Sequence, residues 1–214
     1  MGISVNALIQ GVQETQLNDI EKVTWTEAIL LSALNQAIAL LVLVRPDATA
    51  KFAQFSCVAG SRQNLPSDAI RLLKVVRNTN GRAVRLVNQH DLDAINPDWH
   101  SMAQAAIIRE YMFDDRTPKW FYVYPPAQNG VTLEIEYSAA PSEITDINAV
   151  ISIDLVFQQP LQEFMLYKLL SGDGGQGQGM QNYNTGMQLL GAKPSVDKYS
   201  TPINPAKPAT GVTR

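Results

Sequence analysis

Thr24-Trp25-Thr26-Glu27, the run Ala28 to Val44 (AILLSALNQAIALLVLV) and the stop Arg45-Pro46 decide the fold. Thr24 stands as N-cap before Trp25, and Glu27 three positions on completes a capping box, so a helix starts here. Pro46 disfavours helical backbone at Arg45 and ends it. The run is short for a bilayer and carries Ser32, Asn35 and Gln36, which reads as a buried helix rather than a membrane span. Its last turns, Ala37 to Val44, are apolar on every side, and in a soluble protein such turns need neighbours all round, sister subunits included.

Working outward, Val5, Leu8, Ile9 and Val12 fall at helical spacing and predict a short amphipathic helix over residues 4–16. Helical spacing returns after Pro141, where Leu155, Val156, Leu161, Phe164, Met165, Tyr167, Lys168 and Leu169 predict a long helix with Pro160 near its first turn. Gly172 to Gly179 reads as a glycine-rich break, followed by a last helix from Met180 to Leu190 that ends at Gly191. Beyond it, Pro194 to Arg214 is an extended tail punctuated by proline.

Between the helical ends the period changes to that of strands. Phe52, Phe55 and Val58 lie in a run closed by Gly60, and Ile70 to Arg77 forms another that turns at Asn78-Thr79-Asn80-Gly81. Asn80-Gly81 suits a tight hairpin, so Ala83 to Val87 is expected to pair back antiparallel. A helical turn at Asp91 to Ile95 precedes strands at Ile107 to Phe113, Trp120 to Tyr124 and Val131 to Tyr137, with turns at 114–118 and 125–130. Leu133, Ile135 and Tyr137 share one face of the last strand, opposite Thr132, Glu134 and Glu136. The expected fold is α+β: a helical bundle built from both chain ends (1–48 and 150–192), an inserted antiparallel sandwich or barrel-like β domain (49–149), and the tail 193–214.

Composition narrows the function classes. The 214 residues carry a net charge of -3 and 45% hydrophobic content, enough for a true core. Charged residues are only 17%, below the usual quarter or so, which favours surface meant for other chains. The lone Cys57 sits in an apolar alternating stretch as a small hydrophobe. The N-terminal Met1-Gly2-Ile3-Ser4-Val5-Asn6 lacks the pattern of a signal peptide, so the expected site of synthesis is a reducing cytoplasm.

No constellation of residues calls for catalysis, a metal or another cofactor. His90-Asp91-x-Asp93 is the best metal candidate, and its two aspartates are better explained as helix-start residues. Trp99-His100 reads as a packed aromatic with a hydrogen-bonded neighbour. The glycine-rich 172–179 stretch follows a helix and lacks a Gly-Lys-Ser/Thr, unlike a phosphate cradle. Glu134/Glu136 and Asp114/Asp115 belong to strand surfaces or turns. Arg71, Lys74, Arg77, Arg82 and Arg85 cluster around the hairpin, but the overall charge is negative and no stacking aromatics accompany them, which favours a solvated or subunit-facing surface over nucleic acid.

Several phrases, in order, resemble the adaptor proteins of tailed phages, similar to the tail tubular protein A type at the neck of short-tailed phages. They are Trp25-Thr26, Arg45-Pro46-Asp47-Ala48, Gly60-Ser61-Arg62-Gln63-Asn64-Leu65-Pro66, Arg77-Asn78, Leu92 to His100, Phe113 to Pro118, Phe121 to Pro126 and Tyr137-Ser138-Ala139-Ala140-Pro141, spanning most of residues 25–190. The resemblance implies a structural virion subunit of the neck. It implies a homo-oligomeric ring, a dodecamer, between the portal and a tail nozzle, tubular protein or fibre, with DNA passing through the bore. A mildly acidic wall suits that passage, because each basic contact to phosphate adds salt-sensitive affinity.

The tail lies outside the resemblance. It is expected to lie along the portal or an adjacent subunit, with Pro194, Tyr199, Pro202, Ile203, Pro205, Lys207 and Pro208 as contacts. A small-molecule-binding sandwich and a DNA-binding module are the competing classes, and oligomerisation without ligand or DNA separates the adaptor from both.

Overall fold

The computed structural model describes residues 2–172 and 176–191. In chain order its elements are β1 (Ile3–Ser4), α1 (Val5–Gln10), α2 (Glu27–Val44), β2 (Ala50–Ser56), β3 (Gly60–Asn64), β4 (Ala69–Asn78), β5 (Arg85–Leu86), α3 (Gln89–Ile95), β6 (Glu110–Met112), β7 (Trp120–Ala127), β8 (Thr132–Ala139), β9 (Val150–Ile151), α4 (Gln158–Gly172) and α5 (Gln176–Leu189). The fold is α+β, with helices from both chain ends around one apolar cluster and strands around another.

In the helical part, Ser4 caps α1 by accepting from the Ala7 N–H, and the helix widens into a π turn over Gly11–Gln16. Val5, Leu8, Ile9 and Val12 are buried, as their spacing predicts. They meet Leu30, Leu34, Ile38 and Leu41 of α2 and Leu161, Phe164, Met165 and Leu169 of α4. β1 pairs antiparallel with β9, tying the chain's start to the entrance of α4. Pro160 occupies the third position of α4, where the missing N–H has no intrahelical acceptor to lose.

Four expectations for these helices need correcting. The N-cap of α2 is Thr26, without a side-chain bond, and no capping box forms at Thr24. The reason is that Asp19 captures the backbone N–H groups of Thr24 and Trp25, holding both in the preceding loop. The glycine-rich break is shorter than 172–179, because α5 begins at Gln176 and takes in Gly177 and Gly179. Gly179 and Gly186 serve helix packing: a Cβ would stand 2.6 Å from Ser171 Oγ at the first and 2.7 Å from the Phe164 ring at the second. The last helix accordingly starts before Met180, and Gly191 follows its end with φ 66°.

The β part is a pair of sheets facing each other, ordered β2-β8-β4 and β3-β7-β6-β5, with no closed barrel. Leu72, Val75, Leu133 and Ile135 from one sheet pack on Tyr111, Phe121 and Val123 from the other. Leu133, Ile135 and Tyr137 are buried as predicted, while Thr132, Glu134 and Glu136 are half-buried on the far face.

The hairpin expectation fails in an informative way. After Gly81 (φ 102°) the returning chain makes one bridge, Arg77 to Ala83, and then leaves β4. Buried Asn78 explains the departure: its side-chain amide bonds the carbonyls of Arg82 (3.0 Å) and Ile108 (2.8 Å) and accepts from the Ile108 N–H (2.9 Å). Val84 dives into the core, and β5 pairs parallel with β6 in the opposite sheet. Two strand ends also shift. β2 stops at Ser56, since the buried Gln63 amide binds Val58 and Gly60 backbone in a loop, and Gly60 opens β3. β7 runs through Pro125-Pro126 to Ala127, because the Pro126 carbonyl accepts from the Ala105 N–H at 2.8 Å.

Both crossings between the parts are tied to α2. Asn35 exchanges two 2.9 Å bonds with the Ile144 backbone, and Arg45 grips Asp47 at the start of the turn that leads to β2.

Two substitutions test this packing. Asn78→Ala strands the buried N–H and carbonyl of Ile108 and is expected to cost about 3 kcal/mol in urea unfolding. Gly186→Ala improves helix propensity by about 1 kcal/mol, yet the fully buried Phe164 ring has no room to yield, so a net loss of about 1–2 kcal/mol and a lower Tm are expected.

Candidate assembly surface

The loop between α1 and α2 is organised by one carboxylate. Asp19 Oδ1 accepts from the N–H groups of Val23 (3.1 Å) and Thr24 (3.3 Å), while Oδ2 accepts from Trp25 N–H (2.9 Å) and the Gln13 amide (3.2 Å). The backbone bond from Trp25, more than any other contact, holds the Asp19 carboxyl below its ordinary value of 3.8, against a smaller opposing effect of burial. Buried Gln13 also donates to the Trp25 carbonyl at 2.9 Å. Asn18 (φ 53°) and Lys22 (φ 58°) take left-handed backbone to close the loop, a conformation that costs residues with a Cβ about 1 kcal/mol or more. The loop so fixed presents Ile20 (67% exposed) and Val23 (75% exposed) to solvent.

Trp25 leads from this loop into α2, whose outer face stays uncovered. Ala28, Ser32, Gln36, Ala39 and Leu43 are exposed at helical spacing, with Leu43 at 77%. An open groove of about 590 Å³ lies to one side, floored by Trp25, Ala28, Ile29, Ala33 and Leu169. Thr24, Ser32, Gln36 and Lys168 supply its polar groups. A second groove of about 500 Å³ lies between α2 and the segment Glu143-Ile144-Thr145, sharing Ala28, Ser32 and Gln36 with the first. By length and composition α2, with mean hydropathy 2.0, passes for a membrane span, yet Leu30, Ala33, Leu34, Ala37, Ile38, Leu41 and Val42 are in this chain's own core. The sequence marks the apolar run, but the direction of its uncovered stripe is legible only once α1 and α4 occupy the other side.

The remaining residues singled out in the sequence have structural partners. Trp99 is fully buried and donates its indole N–H to Asp93 at 2.7 Å. His100 stacks on Trp99 with ring centroids 3.7 Å apart and shares a 2.8 Å hydrogen bond with Ser61. Asp91 lies in the first turn of α3, which Asn88 caps. Three of the five basic residues around the hairpin are paired: Arg71 with Asp115, Arg77 with Glu134 and Arg85 with Glu110. Asp114 is held by Arg116. Burial alone pushes the Cys57 thiol up to about 12, which suits a packed hydrophobe. Among the described residues no group of three or more His, Cys, Asp or Glu is placed to hold a metal ion. The tail contacts Pro194, Tyr199, Pro202, Ile203, Pro205, Lys207 and Pro208 lie outside the described residues.

The Asp19 network predicts a local acid effect. A carboxyl held below its unfolded value stabilises the loop above that value and loses the effect as pH falls through the folded one, so the loop is expected to loosen below about pH 3.8. Asp19→Asn at neutral pH places an amide where four donors converge, and amide exchange at residues 23–25 is expected to quicken by roughly tenfold with little change in global Tm.

No curated protein matches the chain. A family model does, the SU10 adaptor protein model, over residues 4–206, from the cap of α1 past Gly191 into the tail. With nearly its whole length matched, the chain belongs to the SU10 adaptor protein family of phage adaptors, and so is a component of the virion.

Proposed function

We propose that this adaptor is a structural, non-catalytic subunit of the phage neck, of the tail tubular protein A type, and that twelve copies close a ring between the portal and the tail nozzle, tubular protein or a fibre. In this reading residues 1–48 and 150–192 form the helical domain, which packs around the ring and meets the portal. Residues 49–149 form the β domain and face the tail. DNA passes through the bore without sequence-specific contact and no cofactor takes part. The protein is made in the host cytoplasm and ends in the virion.

The uncovered apolar face of α2 carries this reading. Ile29, Ala39 and Leu43 stand in water in the isolated chain, on a helix without a charged side chain from Ala28 to Val44. Burying each large aliphatic side chain is worth about 1.5–3 kcal/mol, and a ring subunit offers two neighbours to cover them. Val150, Leu155 and Val156, exposed where the chain enters α4, add a second apolar region for a head-to-tail contact. The pairing of Arg71, Arg77 and Arg85 with carboxylates supports a wall that lets a duplex slide.

Purified protein mixed with its portal is expected to give a shared ring by electron microscopy. A chain that stays monomeric by size exclusion and leaves the portal bare would sink the proposal. Removal of residues 193–214, including Pro194, Tyr199, Pro202, Ile203, Pro205, Lys207 and Pro208, is expected to leave Tm within about 2 °C, since surface changes away from packed features move stability little. Portal docking is expected to weaken at least tenfold, and unchanged docking would remove the tail from the interface.

A further inference from the structure

Resting on the ring reading above, we infer that the groove beside Trp25 is the receptor for residues 202–208 of the next copy's tail. Three independent observations converge on this pairing: the spacing of prolines, the distribution of charge and the place where α5 ends.

The tail holds Pro202-Ile203-Asn204-Pro205-Ala206-Lys207-Pro208, with proline at every third position. Polyproline II backbone has three residues per turn, so the three prolines fall on one edge of such a segment. Its carbonyls are free of internal hydrogen bonds and seek donors. Segments of this kind dock on grooves that combine an aromatic ring with scattered polar groups. The groove on α2 has that make-up: Trp25, Ile29 and Leu169 form an apolar floor, and Thr24, Ser32 and Gln36 offer hydroxyl and amide donors along one side. At about 590 Å³ it falls in the range of sites that hold a short ligand.

Charge is divided within the chain to match. The helical segments, 1–48 and 150–191, hold three bases against eight acids, a net of -5, whereas residues 192–214 hold four bases against one acid, a net of +3. Glu27 sits beside Ala28 at the groove's edge, and Glu21 is exposed in the loop before it. Among the described residues Lys168 is the one charged side chain lining the groove, and it lies over the Tyr167 ring, 5.2 Å from its centroid. The tail and the helical segments thus carry opposite net charge, which favours contact between them.

The end point of α5 and the reach of the chain favour the neighbouring copy over the chain's own groove. α4 runs antiparallel to α2, as Lys168 and Leu169 near its end flank Trp25 and Ala28 at the start of α2. α5 returns along α4, and Arg45, at the far end of α2, donates to the Leu190 carbonyl at 3.4 Å. The described chain thus ends, at Gly191, by the end of α2 opposite the groove. The residues from Gly191 to Pro202 span at most about 40 Å, and an intrachain fit would use about two thirds of that length doubling back along a helix about 27 Å long. In the proposed ring the groove of the next copy is the alternative that leaves α2 unretraced, and the family match through residue 206 includes most of the segment.

Disulfide trapping in the full-length chain tests the assignment. Cys57 is buried with a thiol pushed up to about 12, so it does not compete. Ile29→Cys, at a half-exposed position, and Ile203→Cys are made singly and together. Under a mild oxidant on portal-bound rings, a mixture of the two single variants is expected to yield a reducible covalent dimer, and the double variant a ladder of linked copies. Raising salt from 50 to 500 mM before oxidation is expected to lower the yield severalfold, as charge complementarity requires. A link formed only within one chain of the double variant would overturn the inference in favour of the chain's own tail. Rings that assemble on the portal without any link would overturn it while leaving the adaptor reading intact, and failure to assemble at all would remove both.

Discussion

The fold depends on the burial of α2. A helix with no charge between Ala28 and Val44 cannot stand in water, and it draws segments from opposite ends of the chain onto its inner side. Leu8, Ile9 and Val12 arrive from the N-terminal end and Phe164, Met165 and Leu169 from the C-terminal end. The close approach of α4 and α5, permitted by glycine at 179 and 186, completes the bundle. What these helices leave uncovered is the opposite side of α2, where both grooves lie. One surplus of apolar surface therefore accounts for both the architecture of the subunit and the face it has to offer a partner.

The β part obeys a different constraint, the satisfaction of buried polar groups. Asn78 and Gln63 are each 2% exposed or less, and each serves several backbone groups that regular pairing leaves unmet. Asn78 sends the returning chain to the opposite sheet, and Gln63 shapes the loop that separates β2 from β3. Trp99, capped by Asp93 and covered by His100, seals the irregular segment after α3 against β7. Side chains that look like candidate ligands in the sequence are thus occupied in holding loops.

This contrast explains what was legible in the sequence. Apolar periodicity is a local signal, and it placed α1, α2, α4 and the inward face of β8 because Val5, Leu30, Phe164 and Leu133 each follow the pattern of their own element. The parallel pairing of β5, the start of α2 and the extent of β7 depend on particular partners off the element's own period: Ile108 for Asn78, Asp19, six residues back in a loop, for Trp25, and Ala105 for Pro126. No spacing rule encodes them. The candidate surface was half legible in the same sense, since an apolar run shows that a helix needs cover but not which of its sides goes without.

The ties at Asn35 and Arg45 have a mechanical meaning. Each polypeptide crossing between helices and strands is fastened to the same rod, one at its middle through the Ile144 backbone and one at its end through Asp47. Such a pair of anchors stiffens both crossings, so a tug on the strands is passed in part to α2. An adaptor, which by its family meets other phage head or tail proteins, profits from that stiffness.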